Sequence, residues 1–223
     1  MKESILRRVA AVWLAVSLFF FILTVSIGLP IYIRPFYYAH IDAMSLPEAS
    51  GFTENEIRDA YDEVLDYLTL PGKTFGTGVM ACSEAGAAHF ADCKVLFDLN
   101  AGVLIASTLS LIALFFLRKR FGPYRLGRRS SAFYAGISAV VLPLVLGGLA
   151  ALDFDRAFVV FHRIFFPGKD NWVFDYYTDE IIRVLPQEFF MHCAILIAAG
   201  VLIQAVIILI WEFSHCRKTS TGR

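Results

Sequence analysis

Charge is scarce in this chain. Only 18% of its 223 residues are charged against 57% that are hydrophobic, and mean hydropathy is +0.62. Soluble domains run nearer a quarter charged, so the composition excludes an ordinary soluble globule. Lysine plus arginine equals aspartate plus glutamate at 20 each, so no excess of positive charge argues for nucleic acid as a partner. Cysteine is sparse too. Cys82, Cys93, Cys193 and Cys216 show neither CxxC nor zinc spacing. A Cys82–Cys93 disulfide is conceivable if both face an oxidising exterior, although spacing alone establishes no geometry. No serine sits in GxSxG and no HExxH occurs, which leaves a nucleophile-elbow hydrolase and a zincin without their motifs. The glycines of KTFGTGVM, residues 73–80, lack phosphate-binding spacing and read as a strand or loop.

What the chain has in abundance is long apolar runs. Four are long enough for the roughly 20 helical residues that a bilayer requires, at about 9–33, 97–117, 132–152 and 188–212. The fold class expected is therefore all-α: an integral membrane protein with four transmembrane helices and a small extracellular cap, forming one membrane domain over 1–223. The first run exceeds the apolar stretch of a secretory signal and reads as an uncleaved anchor, with a signal removed after Leu29 as the alternative. In the third, Pro143 and Gly147–Gly148 predict a kink or close packing. Pro186 is well placed for the first turn of the fourth.

Basic residues orient the spans. Lys2, Arg7 and Arg8, the acid-free loop RKRFGPYRLGRRS in 118–131, and Arg217, Lys218 and Arg223 all fall on one side. Both termini and that loop are thus expected in the cytoplasm, with 34–96 and 153–187 outside. In the first outer segment Thr53-Glu54-Asn55-Glu56 is a capping-box pattern. Ile57, Tyr61, Val64, Leu65 and Leu68 then recur at helical spacing until Pro71-Gly72. This predicts a packed cap helix with an acidic outer face. Ser83-Glu84 predicts another helix start, running into the second span with His89 and Asp92 at its outer end.

Histidine alone titrates near neutrality without perturbation, so five imidazoles are the first candidates for proton transfer. His215 reads as a solvated cytoplasmic end and His40 as an interfacial residue. His192 reads as a hydrogen-bonding group towards a neighbouring helix. His89 and His162 come from different outer segments, each among acids and rings, and together make a site plausible. Asp155, Phe158, His162 and Phe165 recur at steps of three and four, so on a helix they share one face. A metal site would rest on His89, Asp92, His162 and His192 converging.

Two stretches go further. HFADCKVLFD, His89 to Asp98, and DFDRAFVVFHRIFFPGKDNWVFDYYTDEIIRVLPQEFF, Asp153 to Phe190, resemble the signature regions of the bacterial lipoprotein intramolecular transacylase family. The order of four spans with a large first outer segment is similar as well. Phe90 and Cys93 depart from that pattern, which has methionine and valine. The resemblance implies an acyltransferase of the bacterial cell membrane with its active site on the outer face. Its substrates would be diacylglyceryl lipoproteins, with membrane lipids as the other partner and no cofactor. An acyl chain would move from the glycerol sn-2 ester to the α-amine of the N-terminal cysteine, giving the lyso form. Two histidines are implicated, and they map onto His89 and His162. On that reading His162 is the proton shuttle, made more basic by Asp155, while His89 polarises the ester and is oriented by Asp92. Phe154, Phe158, Phe165 and Trp172 are expected to wall the pocket, with Arg163 and Lys169 at its rim. The rivals are a metal-dependent membrane hydrolase using His89, Asp92 and His162, and a non-enzymatic lipid-binding scaffold.

Overall fold

The computed structural model describes residues 2–220, with side chains from residue 5 to residue 214 except 120 and 121. The expectations placed on the Lys2, His215, Cys216, Arg217, Lys218 and Arg223 side chains lie outside the described residues. Helices dominate. Those long and apolar enough to cross a membrane are α1 (Lys2–Tyr32), α5 (Glu84–Phe121), α6 (Ser131–Leu152) and α8 (Gln187–Ser220). Between them lie α2 (Arg34–Ala43), α3 (Leu46–Ser50), α4 (Glu54–Thr69) and α7 (Phe154–Phe165). The chain divides into two compact units.

One unit comprises residues 1–28, 101–148 and 196–223. Its buried residues are mostly small or branched: Ile22, Ala139, Val201 and Ala205 form one cluster, and Ala11 and Leu114 meet Tyr124 in another. Small side chains suit helices that must approach closely where lipid supplies no hydrophobic drive between them. At Gly136 an added Cβ would lie 3.1 Å from Leu209. Polar groups are satisfied locally, as lipid demands. The Ser26 hydroxyl donates to the Ile22 carbonyl at 2.9 Å and accepts from Gln204 Nε2 at 2.9 Å, joining α8 to α1. The basic loop folds into a two-residue hairpin, β1 (Arg125–Leu126) with β2 (Arg129–Ser130). Pro143 sits inside α6, but a Cβ added at Gly147 or Gly148 meets nothing within 4 Å. Close packing at that glycine pair is not observed.

The other unit holds residues 29–100 and 149–195. The expected capping box opens α4, with Thr53 accepting the Glu56 amide and Glu56 reaching back to the Thr53 N–H at 2.8 Å. Ile57, Tyr61, Val64, Leu65 and Leu68 are buried, in a core shared with Tyr37, Ile41 and Val184. Tyr37 stacks on Tyr61 at 3.8 Å and donates its hydroxyl to the Val184 carbonyl at 2.7 Å. Arg34 pairs with Asp62 at 2.8 Å and with Asp66, fixing α2 to α4. Residues 73–80 form a loop, neither helix nor strand.

Helix α5 explains why chemistry stands at the end of a span. Its 38 residues reach about 57 Å at 1.5 Å per residue, far beyond a hydrocarbon core of about 30 Å. Its first turns, up to Asn100, belong to this second unit. They are held by Asp179, a buried carboxylate that accepts the Ser83 amide at 2.8 Å. Only glycine fits at position 86, because a Cβ there would come within 2.4 Å of Asp179 Oδ1. Burial alone would raise the Asp179 pKa, but the amide and hydroxyl donors around it bring it below the ordinary carboxylate value. Cys82 and Cys93 are both free, each thiol having a separate neighbour. The conceivable disulfide between them is absent.

Candidate active site

Two imidazoles meet in an aromatic box. His89 comes from α5 and His162 from α7, and their ring centroids lie 5.7 Å apart with 34° between planes. Both are buried, at 5% and 7% exposure. Phe166 meets both rings, at 4.9 Å from His89 and 5.8 Å from His162. Phe174 stands edge-on to His89 at 5.4 Å. Trp172 stacks on His162 at 4.7 Å and Phe158 lies 4.3 Å from it.

Hydrogen bonds decide which nitrogen each ring keeps free. His162 Nδ1 lies 2.8 Å from the Phe158 carbonyl, one helical turn back. A carbonyl can only accept, so the proton is assigned to Nδ1 and neutral His162 keeps a lone pair on Nε2. Burial lowers the pKa of His162, against a smaller upward pull from that carbonyl. The ring is therefore neutral at pH 7 and its Nε2 is a base. In His89, Nε2 faces the Cys93 thiol at 3.4 Å, while Nδ1 is buried with no partner. A thiol donates weakly to a good nitrogen acceptor and accepts poorly itself, which assigns the S–H to Nε2 and a proton to Nδ1. That leaves a buried N–H unpartnered, costly unless something else uses it.

The FPGKDNW turn is pinned beneath this pair. Gly168 takes φ +73, which only glycine adopts without strain, and the Lys169 amide donates back to the Phe166 carbonyl at 3.2 Å. Lys169 forms an ion pair with Asp92, and Asn171 Nδ2 donates to the other Asp92 oxygen at 3.0 Å. Trp172 Nε1 donates to the Lys169 carbonyl at 3.0 Å, which steadies the indole that covers His162. Asp92, one turn along α5 from His89, thus ties the two histidine-bearing segments together.

Several expected roles change. Asp155, expected to make His162 more basic, instead accepts from Gln187 Nε2 at 2.6 Å and fastens α7 to the start of α8, while His162 Nδ1 is taken by the backbone. Asp92 likewise spends both oxygens on Lys169 and Asn171, and not on a His89 nitrogen. Lys169 is a partner of Asp92 more than a rim cation. Phe158 and Trp172 lie against the His162 ring. Phe154 touches Phe158, a step removed, and the Phe165 ring packs on Phe161 at the exposed side of α7. Their places are filled by Phe166 and Phe174. Arg163 is exposed. His192, read as bonding to another helix, does so: its Nδ1 lies 3.0 Å from His40 Nε2. Among the described residues no group of three His, Cys, Asp or Glu side chains stands close enough to hold a metal ion.

A family model described as lipoprotein intramolecular transacylase Lit matches residues 12–190. Among solved structures, the membrane integral lipoprotein intramolecular transacylase Lit from Bacillus cereus superposes with a TM-score of 0.88 at 25% identity, covering 98% of this chain and 99% of that one. Two further structures of that protein, each with one histidine replaced, by alanine or by arginine, give TM-scores of 0.81 at 25% identity. They cover 98% and 99% of this chain and 97% and 96% of theirs. No curated protein matches the chain.

Proposed function

From a chain that belongs to the lipoprotein intramolecular transacylase family, we propose an active site in which His162 is the general base and His89 the hydrogen-bond donor. The protein is an integral membrane acyltransferase. Its reaction carries an acyl chain from the sn-2 ester of a diacylglyceryl-cysteine to the α-amine of the same residue. The observation that supports the site is the meeting of two buried imidazoles, each with one ring nitrogen left for substrate.

The steps follow from those nitrogens. The amine nitrogen attacks the ester carbonyl, and the carbonyl oxygen gathers negative charge. Nδ1–H of His89, pre-aimed and dry, donates to that oxyanion, an interaction stronger in the transition state than with a neutral ester. Nε2 of His162 takes the proton from the attacking nitrogen. When the bond to the sn-2 oxygen breaks, the same imidazolium returns the proton to that oxygen. The products are an amide and a free sn-2 hydroxyl, with atoms and charge balanced. Nucleophile and ester share one molecule, so no protein nucleophile is required. The aromatic box contributes by holding the substrate folded for closure of a medium-sized ring.

The basic residues Arg7, Arg8, Arg118, Lys119, Arg125, Arg128 and Arg129 support a cytoplasmic N-terminus and 118–131 loop, and with them an outward-facing histidine pair. Diacylglyceryl lipoproteins are the substrates and the outer leaflet is where they are met.

The test exploits an isomerisation. Purified protein in liposomes is given a synthetic diacylglyceryl lipopeptide, and the product is read by tandem mass spectrometry. Transfer within one molecule leaves the mass unchanged and moves the acyl group to nitrogen-containing fragments. A hydrolase lowers the mass by one acyl group, and a scaffold changes nothing; either outcome refutes this reading.

A further inference from the structure

Helix α7 carries a surface that catalysis does not use. Phe158 and His162 turn towards the aromatic box. Val160, Phe161, Ile164 and Phe165 instead stand 45% to 66% exposed. They form one stripe, since 160 with 164 and 161 with 165 are one turn apart, and the Phe161 and Phe165 rings pack at 4.7 Å. Along one flank of the stripe, on the Val160 side, lie Arg156 and Arg163, seven residues apart and both exposed. Neither forms an ion pair among the described residues.

The covering of this stripe follows from the chain that leads into it. Helix α6 is apolar enough to cross a membrane and ends at Leu152, itself 83% exposed. Only Asp153 separates it from α7. That residue is extended, at φ −163 and ψ 94, and its carboxylate caps α7 by accepting the Arg156 amide at 2.9 Å. One extended residue ends the axis of a spanning helix, and an amphipathic helix begins at once with its own cap. A helix leaving a bilayer in this way, with an aromatic and aliphatic stripe and arginines along its polar edge, has lipid beside it.

We propose that α7 is an interfacial helix, its Val160–Phe161–Ile164–Phe165 stripe sunk among the acyl chains of the leaflet and Arg156 and Arg163 bound to lipid phosphates. Apolar area and arginine–phosphate attraction act together in such helices. The consequence rests on the catalytic reading of His162. The imidazole, on the face next to the stripe, sits near the depth of ester carbonyls, and a lipoprotein's glycerol reaches it sideways without leaving the leaflet.

Two measurements test this in nanodiscs of phosphatidylethanolamine and phosphatidylglycerol. The added emission of Ile164→Trp, taken as a difference from wild type, is expected to be quenched by lipids brominated on the acyl chain and spared by aqueous iodide. Quenching by iodide and not by bromine overturns the proposal. In the second, Ile164→Asp is expected to lower the rate on a long-chain diacylglyceryl lipopeptide about tenfold by making lipid insertion of this face costly. A water-soluble dibutanoyl lipopeptide is expected to react at the wild-type rate. Equal loss on both substrates overturns the lipid role and assigns the stripe to folding. Quenching reads the helix without catalysis, so failure of the transacylase reading would show in the wild-type protein alone.

Discussion

The molecule holds two histidine pairs, and they differ in what they leave free. His40 and His192 lie 3.0 Å apart, Nε2 to Nδ1, and His40 Nδ1 lies 2.6 Å from the Phe36 carbonyl. Three of their four nitrogens are thus spent on the protein. His89 and His162 face each other across 5.7 Å without bonding, and each keeps one nitrogen uncommitted. The first arrangement joins α2 to α8. The second can exchange a proton with something that enters. Phenylalanine rings stand against both pairs, Phe36 and Phe189 at His40 and Phe158, Phe166 and Phe174 at the other, so bond topology separates link from site.

Removing each pair in turn should give the largest contrast. His162→Ala and His89→Ala are each expected to lower turnover by two or more orders of magnitude, as loss of general base or oxyanion donor requires. His192→Ala should stay within about threefold of wild-type turnover while losing on the order of 1 kcal/mol of stability, the net value of one hydrogen bond. Lipopeptide turnover beside denaturant unfolding in the same detergent checks both. Equal catalytic loss for the two pairs breaks the distinction.

Next in size is the clamp. Asp92→Asn keeps the shape but discards the charge that Lys169 answers, so the turn carrying Trp172 loosens over His162. About a tenfold fall in kcat with little change in KM is expected, together with altered Trp172 fluorescence.

Acid sharpens the comparison further. Burial holds the His162 pKa below the ordinary 6.5, so the ring stays a neutral base as pH falls past 6.5, and the first acid loss of turnover belongs to the substrate's own α-amine, an ammonium below about pH 8. Stability moves with the same sign. Below 6.5 the unfolded chain takes up a proton that folded His162 resists, so this group's contribution declines from 6.5 down to the folded pKa and then levels off. An NMR titration of the histidine rings in which His162 takes up its proton at or above 6.5 would contradict it.

The smallest effect concerns Cys93, whose thiol sets the His89 tautomer. Cys93→Ala should reduce kcat about threefold and Cys93→Ser should preserve it, within the net worth of one weak hydrogen bond.

The sequence carried the spans, the α4 capping box and the histidine pair because each rests on local pattern or on residue chemistry. The partners of the histidines were not legible. Asp155 shares a helical face with His162, yet Gln187, 32 residues on, captures its carboxylate. Helical spacing points to Phe165, but α7 ends at Phe165 and Phe166 leaves the helix at φ −126, ψ 59, which brings its ring against both imidazoles. An i, i+4 reading from His162 would have flagged it. Asn171 and Lys169 reach Asp92 across more than 75 residues, and no local spacing encodes such a meeting.

A free donor nitrogen on one ring beside a free basic nitrogen on the other makes a site, and the account stands on that. Its most direct test is 15N NMR of histidine-labelled protein, with and without a lipopeptide whose sn-2 ester is replaced by an unreactive amide. The account predicts that the ligand shifts His89 Nδ1 and His162 Nε2 while His40 and His192 stay unchanged. Movement of the His40 and His192 signals, with His89 and His162 still, would contradict it.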